Sequence, residues 1–383
     1  MSRRRLRLAM IGGGEGAQIG RIHRHAAALD GRFELVAGCF DADPAASVRF
    51  GREMLGLDPA RCYPDLDAFL AGEAARPDRP ELVAVVTPNH THAPIGRRLL
   101  EAGFPVLMEK PLAVSVAEAR ELVARAEARG LLLVTAYCYW GFSLVQEMRA
   151  RIARGELGRI RAVRAVCPIQ WLAAPLERTG RPAAVWRTDP ARAGPGGCIA
   201  DVGTHAFHLV RATTGLVPRR LAADLAPLVE GRVLDDDAGV WVAFEGGARG
   251  RFWFSQVAVG RSQGLALEVF GERGALRWSL EDASRLHWTP LGEATRVLEA
   301  GRPDLDPVAR AFARVPQGHP EGYIDAFANL YRGAAERLAG GTGTVGADLP
   351  DGRAGLEGVV FVETAVRASR RGGWVDWPEE MRR

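Results

Sequence analysis

The chain has 383 residues, a net charge of +4, 47% hydrophobic and 25% charged residues. This length suits two domains better than one core, and the composition is that of an ordinary globular protein. The arginines are interleaved with acids and no stretch approaches the ~20 apolar residues of a membrane span, so neither nucleic-acid binding nor membrane insertion is expected.

The cysteines and the start of the chain indicate where the protein works. There are five cysteines, an odd number with no C-x-x-C pair, which favours a reducing compartment over a disulfide framework. The initial Met-Ser-Arg-Arg-Arg runs into a short apolar segment that lacks the long core and cleavage site of a signal peptide. These features predict a cytoplasmic protein.

The first predicted elements are a strand at Leu6–Ile11, a glycine-rich loop and a helix from Arg21 to Leu29. A strand, a glycine turn and a helix in this order are the context of a dinucleotide-binding loop, in which the pyrophosphate sits on the helix N-terminus. The residues predicted to bind the cofactor here are Gly12, Gly14, Gly16, Ala17, Ile19 and Gly20.

A second strand, Phe33–Phe40, is followed by Asp41, at about the spacing of an acid that hydrogen-bonds a ribose hydroxyl. An acid at this point favours NAD, with NADP as the alternative, because a 2′-phosphate would be repelled. Asp43 is a rival, although Asp43-Pro44 also resembles a helix start.

Strands and helices continue to alternate. Strands are predicted at Glu81–Val86, Val106–Met108 and Leu131–Thr135, and helices at Ala93–Ala102 and from the Ser115–Glu118 capping box to Ala128. This rhythm predicts an α/β Rossmann domain with a parallel sheet, whose ligands lie beyond the carboxyl ends of the strands.

Lys110 is the only lysine in the chain, and it follows one of these strands. A buried amine shifts its pKa readily, whereas a guanidinium is always charged, so a site that needs an amine would resist replacement by arginine. The strand-end residues predicted to face the cofactor are Thr87, Pro88, Asn89, His92, Glu109 and Lys110.

Beyond residue 140 the pattern changes to alternating strands. They are predicted at Gly158–Gln170, Leu221–Ala226, Ala238–Phe244, Gly250–Val257, Leu265–Phe270, Ala275–Ser279 and Arg285–Thr289, with helices at Leu144–Arg154, Gly322–Leu338 and Gly355–Ser369. We therefore predict a Rossmann domain over residues 1–140 and, over 141–383, an α+β domain with a large open antiparallel sheet. One face of such a sheet should pack on helices, and the other should be covered or should form a homodimer or homotetramer.

Asp201 and His205 lie in the glycine-rich stretch Gly194–His208. Four residues apart on a helix, they would share a face. A carboxylate beside an imidazole fixes its tautomer and stabilises the imidazolium. This pair is predicted to be catalytic together with Lys110.

At these residues the sequence resembles the glucose–fructose oxidoreductase and inositol dehydrogenase family (Gfo/Idh/MocA). The resemblance spans essentially the whole chain and rests on the glycine loop, Thr87-Pro-Asn89 with His92, Glu109-Lys110-Pro111, and Asp201-x-Gly-x-His205. It implies NAD(P)-dependent oxidation of a secondary hydroxyl on a sugar or cyclitol. By this resemblance Lys110 and His205 touch the reacting hydroxyl, and Asp201 orients His205.

The chain departs from the family pattern at Phe40, at the lengthened glycine loop and at His208, where many members carry an acid. Trp140, Trp171 and Trp186 are predicted to stack on a sugar ring, with core packing as the alternative for each. Further predicted contacts are Arg187 and Asp189 with substrate hydroxyls, Trp186 and Arg187 with the cofactor, and His208 with the substrate.

The sequence leaves three other functions open. One is glycosidic bond cleavage, for which some relatives of this fold use tightly held NAD in a redox cycle. A zinc enzyme is suggested by the pairs His23/His25, His90/His92 and His205/His208, although none has a cysteine or glutamate at ligand spacing. A non-catalytic dinucleotide-binding regulator would bind cofactor without turning over a polyol.

Overall fold

The computed structural model describes residues 4–341 and 343–382. Positions 1–3, part of the basic start used in the signal-peptide prediction, lie outside the described residues. The helices are α1 (Gln18–Leu29), α2 (Pro44–Arg49), α3 (Leu66–Glu73), α4 (His92–Glu101), α5 (Val116–Ala128), α6 (Ser143–Ala153), α7 (Pro182–Arg187), α8 (Pro190–Ala193), α9 (Thr204–Thr214), α10 (Pro307–Phe312), α11 (Tyr323–Leu338) and α12 (Gly352–Arg371).

The strands fall into two sheets. They are β1 (Leu6–Ile11), β2 (Phe33–Cys39), β3 (Leu82–Val85), β4 (Val106–Met108), β5 (Leu133–Thr135), β6 (Ile160–Pro168), β7 (Pro218–Ala226), β8 (Asp237–Phe244), β9 (Arg249–Ser255), β10 (Ala266–Gly271), β11 (Gly274–Ser279), β12 (Arg285–Pro290), β13 (Arg296–Glu299) and β14 (Val375–Asp376). None of the helices among residues 4–341 and 343–382 has the length and apolar character needed to cross a membrane.

The chain divides into two compact units that are each discontinuous in sequence. The first comprises Met1–Ala113, Ala117–Gly141 and Tyr323–Leu356, and the second comprises Val114–Val116, Phe142–Gly322 and Glu357–Arg383. The functional division near residue 140 stays a prediction, because compactness alone assigns no function to either stretch.

A parallel sheet forms the centre of the first unit. Within the described residues it has five strands in the order β2-β1-β3-β4-β5, and each neighbouring pair runs parallel. Every residue of β3 is inaccessible to solvent, as expected for a parallel sheet that is covered on both faces. The predicted Rossmann architecture is confirmed.

Helix α11 also belongs to this unit, although it begins 188 residues beyond the end of β5 in the sequence. The ring of Tyr331 on α11 packs edge-on against Phe33 of β2, with 5.6 Å between centroids, and Phe327 packs against His23 of α1 at 4.8 Å. A late segment of the chain therefore completes the core of the first unit.

A large sheet dominates the second unit. In the part of the chain that the structure describes, it has nine strands in the order β13-β12-β11-β10-β6-β9-β8-β7-β14. One face packs on helices: Phe207 of α9 stacks on Phe361 of α12 at 4.3 Å, and Phe361 meets Phe254 of β9 at 6.3 Å. The open face exposes Trp241 and Trp253, at 53% and 42%.

The large, open and mostly antiparallel sheet is confirmed, with two corrections. Strands β6 and β9 are parallel neighbours. After β6 the chain passes through helices α7 to α9, returns to the sheet at β7 and continues through β8 to β9, which lies beside β6. The edge strands β13 and β14 were not predicted. Both are short, and β13 is largely solvent-exposed, so neither carries a strong alternating pattern.

Candidate active site

The glycine loop is fixed to the end of β2 by two backbone hydrogen bonds. Gly12 N–H donates to the Cys39 carbonyl at 2.7 Å, and Gly14 N–H donates to the Phe40 carbonyl at 2.9 Å. A Cβ on Gly20 would lie 2.3 Å from Gly13 Cα, so the start of α1 can approach the loop only because both residues are glycines.

The N-terminus of α1 is open to an anion. Its N-cap, Ala17, has no side chain that could accept a hydrogen bond, and the first turn contains no acid. Free backbone N–H groups and the positive end of the helix dipole suit a phosphate. The helix begins at Gln18 rather than at the predicted Arg21, which places Ile19 and Gly20 within its first turn.

Asp41 borders this loop. Its Oδ2 atom would lie 3.3 Å from a Cβ on Gly14, and the Asp41 side chain is exposed. Phe40 instead points into the core, 1% exposed, where it packs edge-on against Phe50. Asp43 accepts a hydrogen bond from Ala46 N–H at 2.7 Å and so caps α2. Of these two acids, Asp41 therefore lies beside the glycine loop and Asp43 serves as a helix cap.

The segment after β3 contacts the glycine loop and the loop that carries Lys110. A Cβ on Gly12 would lie 2.7 Å from Thr87 Cγ2. The His92 ring lies between two carbonyl oxygens, with Nε2 at 2.8 Å from Thr87 and Nδ1 at 2.8 Å from Pro111. The three predicted segments thus meet at one edge of the parallel sheet.

His92 is fully buried, and this burial lowers its pKa despite the two carbonyl contacts. A neutral imidazole has one N–H, so it donates to one carbonyl at a time. These contacts indicate a residue that holds two loops together. The direct cofactor contact predicted for His92 stays a prediction, as do those of Pro88 and Asn89, which lie at the short turn Asn89–Thr91.

Lys110 is presented by the loop after β4. Glu109 N–H donates to the Val85 carbonyl at 2.9 Å, which continues the sheet pairing up to this point. The Glu109 carboxylate is buried and accepts a hydrogen bond from the Lys110 backbone N–H at 3.1 Å, while the Lys110 side chain is partly exposed. The main chain at Lys110 is thereby anchored.

In the second unit, Asp201 does not lie on a regular α-helix with His205. It lies in a π-helical turn, Ile199–Gly203, that leads into α9, where His205 stands in the first turn. Gln256 Nε2 donates to Asp201 Oδ2 at 2.7 Å, and Arg187 Nε lies 3.5 Å from Asp201 Oδ1. Gln256 was not predicted from the sequence.

Asp235 anchors the start of the same turn. Its carboxylate accepts hydrogen bonds from Gly197 N–H at 2.7 Å and from Ile199 N–H at 2.8 Å. A Cβ on Gly197 would lie 2.1 Å from the Asp235 carbonyl oxygen, which explains why glycine stands there. Burial raises the pKa of Asp235 although these hydrogen bonds oppose the shift.

The three tryptophans predicted to stack on a sugar ring differ in solvent exposure. The Arg187 guanidinium lies 4.0 Å from the ring of Trp186 and 5.5 Å from that of Trp171, and both indoles are partly exposed. Trp140 belongs to the first unit and is 1% exposed, which favours core packing over the predicted stacking on a substrate.

The surroundings of His208 and Asp189, both predicted to contact the substrate, are also defined. Burial, assisted by the charge of Arg211, lowers the pKa of His208 to about 3, so this imidazole is neutral near pH 7. Asp189 caps α8 by accepting a hydrogen bond from Ala191 N–H at 2.9 Å. Among residues 4–341 and 343–382, no three His, Cys, Asp or Glu side chains are grouped as metal ligands.

Comparison with known proteins identifies the family. The model described as "Oxidoreductase family, NAD-binding Rossmann fold" matches residues 6–137, and that of the GFO/IDH/MocA C-terminal domain matches residues 145–277. The uncharacterized oxidoreductase YfiI of Bacillus subtilis (strain 168) is 35% identical over 381 residues, which cover 97% of each protein.

Two solved structures resemble the whole chain. The inositol dehydrogenase homolog of Azotobacter vinelandii complexed with NAD+ is 41% identical, with a TM-score of 0.92 over 98% of each chain. The homolog from the same organism complexed with NADH and myo-inositol is 40% identical, with a TM-score of 0.90 over 98% of each chain. The chain therefore belongs to the GFO/IDH/MocA family of oxidoreductases and carries that family's NAD-binding Rossmann fold at its N-terminal end.

Proposed function

We propose that the protein is an NAD-dependent dehydrogenase that acts on a secondary hydroxyl of a cyclitol or sugar, with Lys110 and His205 at the reacting oxygen. The observation that carries this proposal is the meeting of the glycine loop, the Thr87 segment and the Lys110 loop at one edge of the parallel sheet. In sheets of this kind, ligands bind beyond the carboxyl ends of the strands.

The residues present fit a dinucleotide. The open start of α1 suits the pyrophosphate, and Asp41 suits an unphosphorylated ribose, which favours NAD over NADP. The strand-end residues, and also Trp186 and Arg187, are proposed as further cofactor contacts. A nicotinamide dinucleotide held by these residues would supply the hydride acceptor for oxidation of the alcohol.

The side chains would divide the remaining work. The Lys110 ammonium donates a hydrogen bond to the substrate oxygen and stabilises negative charge on it. His205 accepts the hydroxyl proton as a general base. Asp201 orients His205, and its own carboxylate is held by Gln256 and Arg187. Each step therefore has a residue whose chemistry suits it.

A cyclitol or sugar is supported by both the neighbours and the site. The Azotobacter vinelandii homolog was solved with myo-inositol. Trp171 and Trp186 offer partly exposed indole faces for the C–H face of a ring, and Arg187 between them offers N–H donors for its hydroxyls. His208, neutral and three residues beyond His205, is proposed as a further substrate contact.

The open sheet face is proposed to form a homodimer or homotetramer. Trp241, Trp253, Phe270 and Val297, on strands β8, β9, β10 and β13 of this sheet, are each more than 40% exposed. Exposed apolar groups on an extended sheet are typical of a surface that pairs with another copy. Sedimentation of the wild type and of a Trp253→Glu variant tests this, since the proposal requires the variant to dissociate.

The function is tested with a panel of cyclitols and sugars, using NAD+ and NADP+ and following the absorbance of the reduced cofactor. Turnover with NAD+ that is abolished by Lys110→Met and His205→Asn is the expected result. Glycoside cleavage without net NADH would favour the redox-cycle alternative. Cofactor binding without turnover of any polyol would favour the regulatory alternative.

A further inference from the structure

Three polar side chains from distant parts of the sequence form a buried chain beside Lys110. Tyr331 Oη on α11 lies 2.8 Å from His23 Nδ1 on α1, and His23 Nε2 lies 2.9 Å from Glu109 Oε1. Their exposures are 1% for Tyr331, 0% for His23 and 7% for Glu109. All three belong to the first compact unit.

The hydrogen-bond donors and acceptors of these three side chains are matched when the bonds run from Tyr331 through His23 to Glu109. A neutral His23 that donates its Nε2–H to the Glu109 carboxylate has an Nδ1 lone pair left to accept the Tyr331 hydroxyl proton. The second carboxylate oxygen of Glu109 accepts the backbone N–H of Lys110 at 3.1 Å. Hydrogen bonds thus run from Tyr331 to the main chain of Lys110.

Packing restricts the imidazole to this orientation. The rings of Phe327 and Tyr331 meet His23 edge-on, with centroids at 4.8 and 5.8 Å. Burying three polar groups is unfavourable unless each is hydrogen-bonded, and apolar residues of the same volume would fill this space more simply. The hydrogen-bonded Tyr331, His23 and Glu109 side chains therefore indicate a role other than filling the core.

We propose that His23 and Tyr331 are positioning residues that act through Glu109 to hold the main chain of Lys110, and so its amine, in place. This inference rests on the proposed function, in which the Lys110 amine contacts the substrate oxygen. His23 stands on the helix whose N-terminus is proposed to bind the cofactor pyrophosphate. The same three hydrogen-bonded side chains therefore connect helix α1 to the Lys110 loop.

The pH at which Glu109 protonates reports whether His23 acts on the Glu109 carboxylate. Burial acts to raise the pKa of Glu109, but the hydrogen bond from His23, together with the nearby charge of Lys110, outweighs it and holds the pKa below its usual value. Among the described residues, Cys138, Tyr323 and Tyr331 also interact electrostatically with this carboxylate. Loss of His23 removes the largest opposing contribution, so the pKa of Glu109 should rise and the carboxylate should protonate at a higher pH.

The unique lysine makes a direct measurement available. Growth on ¹⁵N-lysine places the only labelled backbone amide at Lys110, where its N–H donates to Glu109. The position of this single NMR signal against pH reports protonation of Glu109 independently of turnover. The pH profile of kcat is measured on the same samples of full-length protein.

In His23→Phe we expect the midpoint of the Lys110 amide titration and the acidic limb of the kcat profile to move together to higher pH. We also expect kcat near neutral pH to fall by a factor on the order of 10 to 100. Tyr331→Phe, which removes one hydroxyl and keeps the ring, should shift both in the same direction by less. Tyr63→Phe is the matched control, because it removes a buried hydroxyl contact to Glu73, 2.8 Å long, that does not involve the Lys110 loop.

An unchanged Lys110 signal and pH profile in folded His23→Phe would overturn the inference. If His23→Phe does not fold, Tyr331→Phe decides in its place, and an unchanged signal and profile there would overturn it too. Lys110→Met separates the two hypotheses. Full turnover in Lys110→Met removes the proposed function, whereas an inactive Lys110→Met beside an unaffected His23→Phe removes only the positioning of Lys110 by this chain.

Discussion

Replacement of Gln256 tests how Asp201 is held. Gln256 is 3% exposed, and its amide donates to Asp201 Oδ2 at 2.7 Å, while the contact from Arg187 Nε to Asp201 Oδ1 is longer, at 3.5 Å. A hydrogen bond to a charged group contributes about 1.5–3 kcal/mol. If Asp201 orients the base in the transition state, Gln256→Leu should lower kcat/KM by about 10- to 150-fold.

Gln256→Glu should be more damaging, because it sets a second carboxylate against Asp201 without changing the volume of the side chain. The assay is steady-state oxidation of the best polyol from the panel, with kcat and KM determined separately and folding checked by thermal denaturation. Gln317→Leu is the matched control, since Gln317 Nε2 also donates to a carboxylate, that of Glu299, at 2.7 Å but on the surface. A folded Gln256→Leu enzyme with wild-type kcat/KM would refute the assigned role.

Three further predictions concern the first unit. Asp41→Ser should weaken NAD+ binding and narrow the preference over NADP+, as measured by calorimetric titration of both cofactors. Gly20→Ala should abolish cofactor binding in the same titration, because its Cβ would fall 2.3 Å from Gly13 Cα and push α1 off the loop. Glu73→Gln should lower the free energy of unfolding by about 1.5–3 kcal/mol in urea denaturation, because it removes the carboxylate 2.5 Å from the buried Arg61 guanidinium, which then keeps the longer ion pair with Asp78, at 3.3 Å.

Each of these predictions has a control within the chain. Asp43→Ser changes an acid that caps a helix, and it should leave the cofactor preference unaltered. Gly239→Ala adds a Cβ that meets no atom within 4 Å, and it should retain cofactor binding. Glu127→Gln breaks an exposed ion pair with Arg353 and should change stability by about 0–1 kcal/mol. Equal effects in a test variant and its control would contradict the corresponding reasoning.

Sequence reasoning predicted the parallel sheet well because its signals are local. A strand such as Leu6–Ile11 is a run of apolar residues that ends at glycines, and the positive φ of Gly12, 85°, explains why a glycine stands there. The β6–β9 pair was missed because alternation shows which face of a strand is buried, but not the direction of its neighbour.

In the candidate site too, residues within one short motif were predicted, whereas their partners from distant segments were not. Asp201 stood out beside His205 in one short stretch, but Gln256 lies 55 residues beyond Asp201 and reaches it only in the folded chain. His23 and Tyr331 are 308 residues apart, and each alone is typical of an ordinary helix. Contacts between distant segments carry no local pattern, so the residues that hold the predicted catalytic groups emerged only from the structure.

The late return of the chain to the first unit has a consequence for biosynthesis. Asn329 Nδ2 donates to the Gly141 carbonyl at 2.7 Å, and Thr135 N–H at the edge of the parallel sheet donates to the Pro350 carbonyl at 2.9 Å. Neither partner has left the ribosome when residues 1–141 emerge. The nucleotide-binding half must therefore wait, incompletely packed, until nearly the entire polypeptide has been translated, and a gene fragment that stops at residue 141 should yield an unstable product.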